Sequence, residues 1–286
     1  MLLGALTGCS LVRRPSPPAT TAARYVIGDA YHAGGIWYYP REETQYSATG
    51  LATVAEPHQP KTADGETFDG SALAAAHQTL QLPAIARVTN LENGRQILVR
   101  LNDRGPASPS RLVALTPHAA ALLQAADGTQ VRVELDEDMT HVLAEQLGGG
   151  PRVAVTAVPL AEVQSEALPP PTGSAQSVHV RTGPTPVVTQ AARSSVAATV
   201  PARLPDVVVQ TPPQPGRIII RASEFTRADY AQRFAARIGG LVEHINLGRS
   251  DIYRVRAGPY ATVRQADAAL DQVLQAGVID ARIVIE

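Results

Sequence analysis

Between about Gly148 and Pro215 the chain carries 12 of its 23 prolines, Pro169-Pro170-Pro171 among them, set in Val, Ala, Ser and Thr. Proline breaks helices and cannot donate to a β-ladder, and a mixture so poor in large apolar side chains buries little. The stretch therefore cannot be the middle of one large core. It divides the 286 residues into two candidate domains, 25–137 and 216–286, joined by a semi-extended linker over 138–215.

Twenty-five basic residues against 26 acidic ones give a net charge of -1, so nothing marks the chain as polybasic, and nucleic acid is not an expected partner. Cys9 is the only cysteine, which excludes an intramolecular disulfide and any multi-cysteine metal site. The first nine residues, MLLGALTGC, form a short apolar run with small residues just before the cysteine. This resembles a bacterial lipobox. The expectation is a lipoprotein signal over 1–9, lipidation of Cys9, and a flexible proline-containing spacer over 10–24. Ser10 lacks the aspartate that commonly retains such proteins at the inner membrane, so the expected location is the outer membrane, facing the periplasm. No other segment approaches the roughly 20 apolar residues that span a bilayer.

Within 25–137, residues 85–90 and 96–101 read as strands separated by the hairpin turn Glu92-Asn93-Gly94, and 131–135 alternates again. Thr116-Pro117 predicts an N-cap and first helical residue for a short helix through Leu123. A block rich in strands with so little helix suits a small barrel better than a parallel α/β sheet. The last block reads strand, helix, strand, strand, helix, strand, with helices near 227–238 and 263–275. Tyr230, Phe234 and Ile238 recur at helical spacing as an apolar stripe. Thr262 to Gln265 fits a capping box, and Gly277 lies where a helix stop is expected.

Four motifs in order carry a resemblance: Lys61-Thr-Ala-Asp-Gly-Glu-Thr-Phe-Asp69, Ala74-Ala-Ala-His-Gln-Thr-Leu80, Arg87 to Arg95, and Val99-Arg-Leu-Asn-Asp-Arg-Gly-Pro106. Together they resemble the rare lipoprotein A family. The resemblance implies a six-stranded double-psi β-barrel, shared with expansins and a class of membrane-bound lytic transglycosylases. Gly35 to Arg41 is similar to the strap that precedes the barrel in many members. Tyr253-Arg-Val-Arg-Ala-Gly-Pro-Tyr260 resembles the central strand and turn of a sporulation-related repeat, or SPOR, domain. A ferredoxin-like βαββαβ module that binds glycan strands stripped of stem peptides is thereby implied. The chain departs from the family at Thr53-Val54-Ala55-Glu56, where members usually carry Ser-Trp-Tyr-Gly, at Ala114, where an aspartate is usual, and at the first strand of the SPOR-like block.

A lytic transglycosylase protonates the bridging oxygen of a glycosidic bond and then removes the proton of the muramic acid 6-hydroxyl. One carboxyl does both in turn. The attacking hydroxyl belongs to the substrate, so neither a second water-activating carboxylate nor a metal or other cofactor is called for. By resemblance Asp103 is the acid and then the base, Glu66 lines the same groove, and His77 orients the carboxyl by hydrogen bonding. Arg104, Asn102 and Thr62 are the expected substrate contacts, Arg104 to the lactyl carboxylate of muramic acid. Each residue also has a plainer reading: Asp103 as a turn-capping aspartate, Glu66 as a hairpin flank, His77 as a satisfied core histidine, Arg104 as a barrel-closing salt bridge. Trp37, Tyr38 and Tyr39 either stack on sugars or pack on the barrel wall.

The expected function is endolytic cleavage of peptide-poor septal glycan by a lipid-anchored enzyme, with division proteins as possible partners. The rival is a catalytically inactive, lipid-tethered adaptor that binds the same glycan.

Overall fold

A computed structural model describes residues 23–56, 60–148, 199–248, 250–278 and 280–286. Cys9 and residues 149–198 lie outside the described residues. A hairpin of β1 (Tyr31–Ala33) and β2 (Ile36–Tyr38) comes first, its turn made by Gly34 and Gly35 at φ 56° and 85°. Then follow β3 (Ser47–Val54), β4 (Ala74–His77), β5 (Ala84–Asn90), β6 (Arg95–Asp103), β7 (Val113–Leu115), helix α1 (Pro117–Leu123) and β8 (Gln130–Leu135). The six strands after the hairpin run in the order β4-β7-β3-β8-β5-β6, and β6 pairs back onto β4. The sheet is thus a closed mixed barrel of the double-psi type. Pairs β3/β7 and β4/β6 are parallel and the others antiparallel. Closure leaves no unpaired edge in the barrel. Leu82, Val88, Val99, Leu101, Leu115 and Val133 are among the residues that fill its core. Thr116 caps α1 by accepting from the backbone of Ala119, and Pro117 starts it, as the sequence predicts.

The expected linker is shorter at both ends than 138–215. Residues Glu137–Gln146 form α2, capped by Asp136 through the Met139 N–H, with Leu143 and Ala144 buried. Thr140 exchanges hydrogen bonds with the backbone of Ile85 and so fixes α2 to β5. At the far end Val200 and Leu204 enter the barrel core, and β9 (Val209–Gln210) adds to β6. The proline-rich character of the stretch as a whole hid these anchors. A few apolar side chains suffice to dock a segment even when most of its residues are small or polar.

The C-terminal block is β10 (Ile218–Phe225), α3 (Ala228–Ile238), β11 (Leu241–Asn246), β12 (Asp251–Tyr260), α4 (Val263–Gln275) and β13 (Arg282–Ile285), in the βαββαβ order expected. Its antiparallel sheet runs β11-β12-β10-β13. Thr262 caps α4 through the Gln265 N–H. The stripe on α3 differs from the expectation. Ala231 and Ala235 are the buried residues, Phe234 and Ile238 pack beside them, and Tyr230 is half exposed under the guanidinium groups of Arg227 and Arg233. Small side chains bring the helix axis close to the sheet, so the larger residues of the row fall at the margin.

Barrel and C-terminal sheet pack against each other. Barrel residues Leu51 and Leu91 belong to the C-terminal core. Thr49 Oγ1 donates to the carbonyl of Ile285 at 2.7 Å and accepts from its N–H at 3.2 Å. Gly50 lets β3 pack closely against Leu112 within the barrel, since a Cβ there would lie 2.8 Å from the Leu112 side chain. The strongest polar link is Arg111, itself buried. Its guanidinium donates to both oxygens of Asp127 at 2.9 and 2.8 Å and to both oxygens of Asp267 on α4 at 2.8 and 3.2 Å. The bonds to Asp127, more than any other cause, hold the arginine firmly protonated. Arg111→Ala leaves two carboxylates facing one another without their shared cation. It should lower the unfolding free energy by about 2–4 kcal/mol, measured by urea denaturation at neutral pH. A loss below about 0.5 kcal/mol would show that the clamp contributes nothing beyond an ordinary surface substitution.

Candidate active site at the end of strand six

Residues 60–69 form a tight loop beside the end of β6. Lys61 and Thr67 bridge across it, the Thr62 N–H donates to the Glu66 carbonyl, and Gly65 turns at φ 94°. Asp64, at the loop's tip, shapes the turn: its Oδ1 accepts from the Thr62 hydroxyl at 2.7 Å and from the Glu66 N–H at 3.1 Å. The Asp64 N–H in turn donates to the Asn102 carbonyl at 3.2 Å, so the loop is tied to β6.

The parallel β4/β6 ladder carries a register shift: Ala75 faces Leu101, but Ala76 faces Asp103. One extra residue, Asn102, is therefore inserted in β6. Such a bulge re-aims the side chains around it. Asn102 Nδ2 reaches Glu66 Oε2 at 2.9 Å, while Glu66 Oε1 pairs with Arg100 at 2.6 Å. Asp103 Oδ1 accepts two backbone N–H groups, from Ala63 at 2.9 Å and Arg104 at 2.8 Å. Among the described residues these bonds engage only Oδ1. The carboxyl is partly exposed.

Asp103 and Glu66 are thus brought to one rim, as the motif order implies. The remaining expected residues sit elsewhere in the network. His77 is buried, and its Nδ1 accepts from the N–H groups of Thr79 and Leu80, both at 3.2 Å. With Nδ1 accepting, the proton lies on Nε2, which donates to the Tyr46 hydroxyl at 3.0 Å. Burial, reinforced by the charge of Arg104, pushes the imidazole down to about 3, so it stays neutral. Both nitrogens are occupied away from Asp103, and the orienting bond expected of His77 is not made. Among the described residues Arg104 makes no salt bridge, and its guanidinium is taken up by backbone carbonyls. Its guanidinium donates to the carbonyls of His77, Leu80 and Ile27, stapling the N-terminal strap to the β4–β5 connection. Thr62 and Asn102, expected to touch sugar, are buried and spend their donors on Asp64 and Glu66. In this structure they hold the Asp64 and Glu66 carboxylates.

Asp64 and Arg100 were not singled out by the sequence. Asp64-Gly65 read only as a turn. Arg100 lies in a strand whose alternate residues Ile97, Val99 and Leu101 are buried, and Arg100 is buried too. A charge in such a run signals a buried partner, and the partner is Glu66. Asp64 is fully buried, and its Oδ2 has no hydrogen-bond partner among the described residues. Burial, only partly countered by the Thr62 hydroxyl and the Glu66 N–H, pushes its carboxyl up to about 6.

That shift has a definite sign. The folded protein holds the Asp64 proton up to a higher pH than the unfolded chain, so the contribution of Asp64 to stability declines as pH rises from about 4 to about 6 and levels off above. Asp64→Asn removes this dependence. Across the same window wild type should lose about 3 kcal/mol more unfolding free energy than the variant, read from denaturant curves at several pH values. Parallel pH profiles for the two proteins would contradict the assignment.

Residues 38–135 match the lytic transglycolase family and residues 214–283 match the SPOR domain family. The endolytic peptidoglycan transglycosylase RlpA of Escherichia coli K12 is 40% identical over 147 residues, half of this chain and 38% of that protein. The RlpA of Pseudomonas aeruginosa PAO1 is 29% identical over 258 residues, 87% of this chain and 74% of that protein. A Rickettsia bellii RlpA is 36% identical over 104 residues, 35% of this chain and 46% of that protein. The chain therefore spans well under half the length of the Escherichia coli relative it matches.

Proposed function

We propose that this chain, similar to the lytic transglycolase and SPOR families and to RlpA proteins, is a rare lipoprotein A family member and an endolytic lytic transglycosylase acting on peptidoglycan. The observation that carries the reading is the Asp103 carboxyl, fixed at one oxygen by two backbone N–H groups and open at the other. In the first step Asp103 gives its proton to the bridging glycosidic oxygen as the C1–O bond breaks. It then accepts the proton of the 6-hydroxyl as that oxygen closes on C1, leaving a 1,6-anhydro-muramic end and a regenerated acid. Glu66, clamped between Arg100 and Asn102, is a fixed negative charge at the same rim, where positive charge develops on the sugar ring.

Asp103→Asn keeps shape and hydrogen bonding but cannot give and recover a proton. Release of anhydro-muramic ends from peptide-free glycan should fall by roughly 10²–10⁴-fold, with the melting temperature preserved. Equal activity of the two proteins would remove Asp103 from the mechanism. The absence of the aromatic pair at 53–56 favours a second reading, the inactive glycan-binding adaptor. A wild type that binds glycan yet yields no anhydro ends would establish it.

The SPOR match and Leu6-Thr7-Gly8-Cys9 support delivery of this activity to peptide-poor septal glycan from a lipid anchor in the outer membrane, with division proteins as neighbours. A fluorescent fusion should band at constriction sites and sediment with outer membranes. Cys9→Ser should move it to the soluble fraction, and loss of the amidases that strip stem peptides should disperse the bands. Membrane sedimentation unaffected by Cys9→Ser would refute the anchor, and bands that persist without amidases would refute glycan targeting.

A further inference from the structure

Trp37 is the only tryptophan of the chain, and 56% of it is exposed. Its exposure is built in. The hairpin pairs Tyr31 with Tyr38 and His32 with Trp37, so alternation sends the tyrosines to one face and the indole to the other. The tyrosine face is anchored. Tyr38 is buried and its ring stacks on Tyr31 at 5.3 Å. Tyr31 donates to the Gln78 carbonyl at 2.9 Å. The Gln78 amide donates to the Tyr38 hydroxyl and to the Pro106 carbonyl, each at 3.1 Å. At the turn, Gly34 lies so close to the Ala107 carbonyl that a Cβ would come within 1.9 Å of its oxygen. The hairpin is thereby fixed to residues 106 and 107, which follow directly on Asp103-Arg104-Gly105. Tyr31 also lies within electrostatic reach of both Asp103 and Arg104.

An indole held on a rigid, well-anchored hairpin, yet turned to water, loses little conformational freedom when a ligand covers it. Its flanks are polar-tipped: the His32 ring meets it edge-on at 5.5 Å, and Tyr39, two residues along the chain, is 62% exposed. One aromatic face bordered by an imidazole and a phenol matches an amphipathic ring better than an extended apolar partner. A pyranose has that character, with a C–H face to lie against the π-cloud and hydroxyl and acetamido groups at its rim for the polar neighbours. We infer that Trp37, bordered by His32 and Tyr39, is a stacking subsite for one N-acetylhexosamine ring of the glycan strand whose bond is cut at Asp103. This rests on the lytic reading of the barrel. It supplies, from the strap, the aromatic platform that residues 53–56 at the end of β3 lack.

The sole indole makes the test direct. The full chain is titrated with peptide-free glycan strands while tryptophan emission, its quenching by acrylamide and the heat of binding are followed on the same samples. The expected result is a saturating emission change with protection from acrylamide, at the concentrations where heat is released. Trp37→Ala, a change at an exposed position that should leave the melting curve unaltered, should weaken binding about tenfold, the loss typical of an aromatic anchor. Heat that saturates while the indole stays unchanged and fully quenchable would overturn the subsite and leave the lytic reading intact. No binding by any measure would overturn both. A protected indole without anhydro-muramic ends would keep the subsite and overturn the lytic reading.

Discussion

Closure of the barrel by the parallel pairing of β4 with the end of β6 is the constraint from which the site follows. The ladder cannot close in simple register, because Asn102 is one residue too many between Leu101 and Asp103. That surplus residue swings toward Glu66 and places Asp103 under the Ala63 N–H. The same closure buries Arg100, which then requires the Glu66 carboxylate as its partner. Barrel integrity and carboxylate placement are therefore one problem. A substitution that relaxes the bulge releases both.

A second dependence runs outward from the barrel. Leu51 and Leu91 lie on the barrel but complete the C-terminal core, so neither sheet is fully packed without the other. Arg111 adds direction to this apolar contact by choosing two carboxylates, one on each side. The Gln130 amide donates to the Gly216 carbonyl and accepts from its N–H, tying the entry of the C-terminal domain to β8. The segment leading into that domain is held as well, through β9 on β6. A C-terminal domain connected in this way carries its orientation with the barrel rather than swinging freely around it.

Much of this was legible from local chemistry. Thr116-Pro117 and Thr262 to Gln265 announce helix starts because capping is satisfied within a few residues, and both helices start there, Thr262 making the N-cap bond of the box. The βαββαβ rhythm needs only periodicity and turn residues. What local pattern could not supply is tertiary partnership. His77 looks the same in sequence whether its ring faces a carboxyl or, as here, the Tyr46 hydroxyl and two backbone N–H groups. Asn102 and Thr62 look like ligand-binding residues until their donors are seen to be spent on Glu66 and Asp64. The proline-rich connector concealed Val200 and Leu204 because two apolar residues hardly alter the character of so long a stretch, although they are enough to find a place in the barrel core.

The two buried titratable side chains near the rim, Asp64 and His77, are perturbed by the same cause and with opposite effect on proton binding. Each is kept neutral by burial. For the aspartate this means holding a proton that the unfolded chain would release, from about pH 4 up to about 6. For the histidine it means refusing a proton that the unfolded chain would take up, from about 6.5 down to about 3. On unfolding between about pH 4 and 6 one group gives off a proton and the other absorbs one, so the net exchange from this pair is close to zero and their combined contribution to stability is nearly flat. Below that window only the histidine still exchanges, and acid weakens the fold. The pair thus acts as a proton-compensated element whose own contribution to stability stays nearly level under moderate acidification, through burial rather than ion pairing.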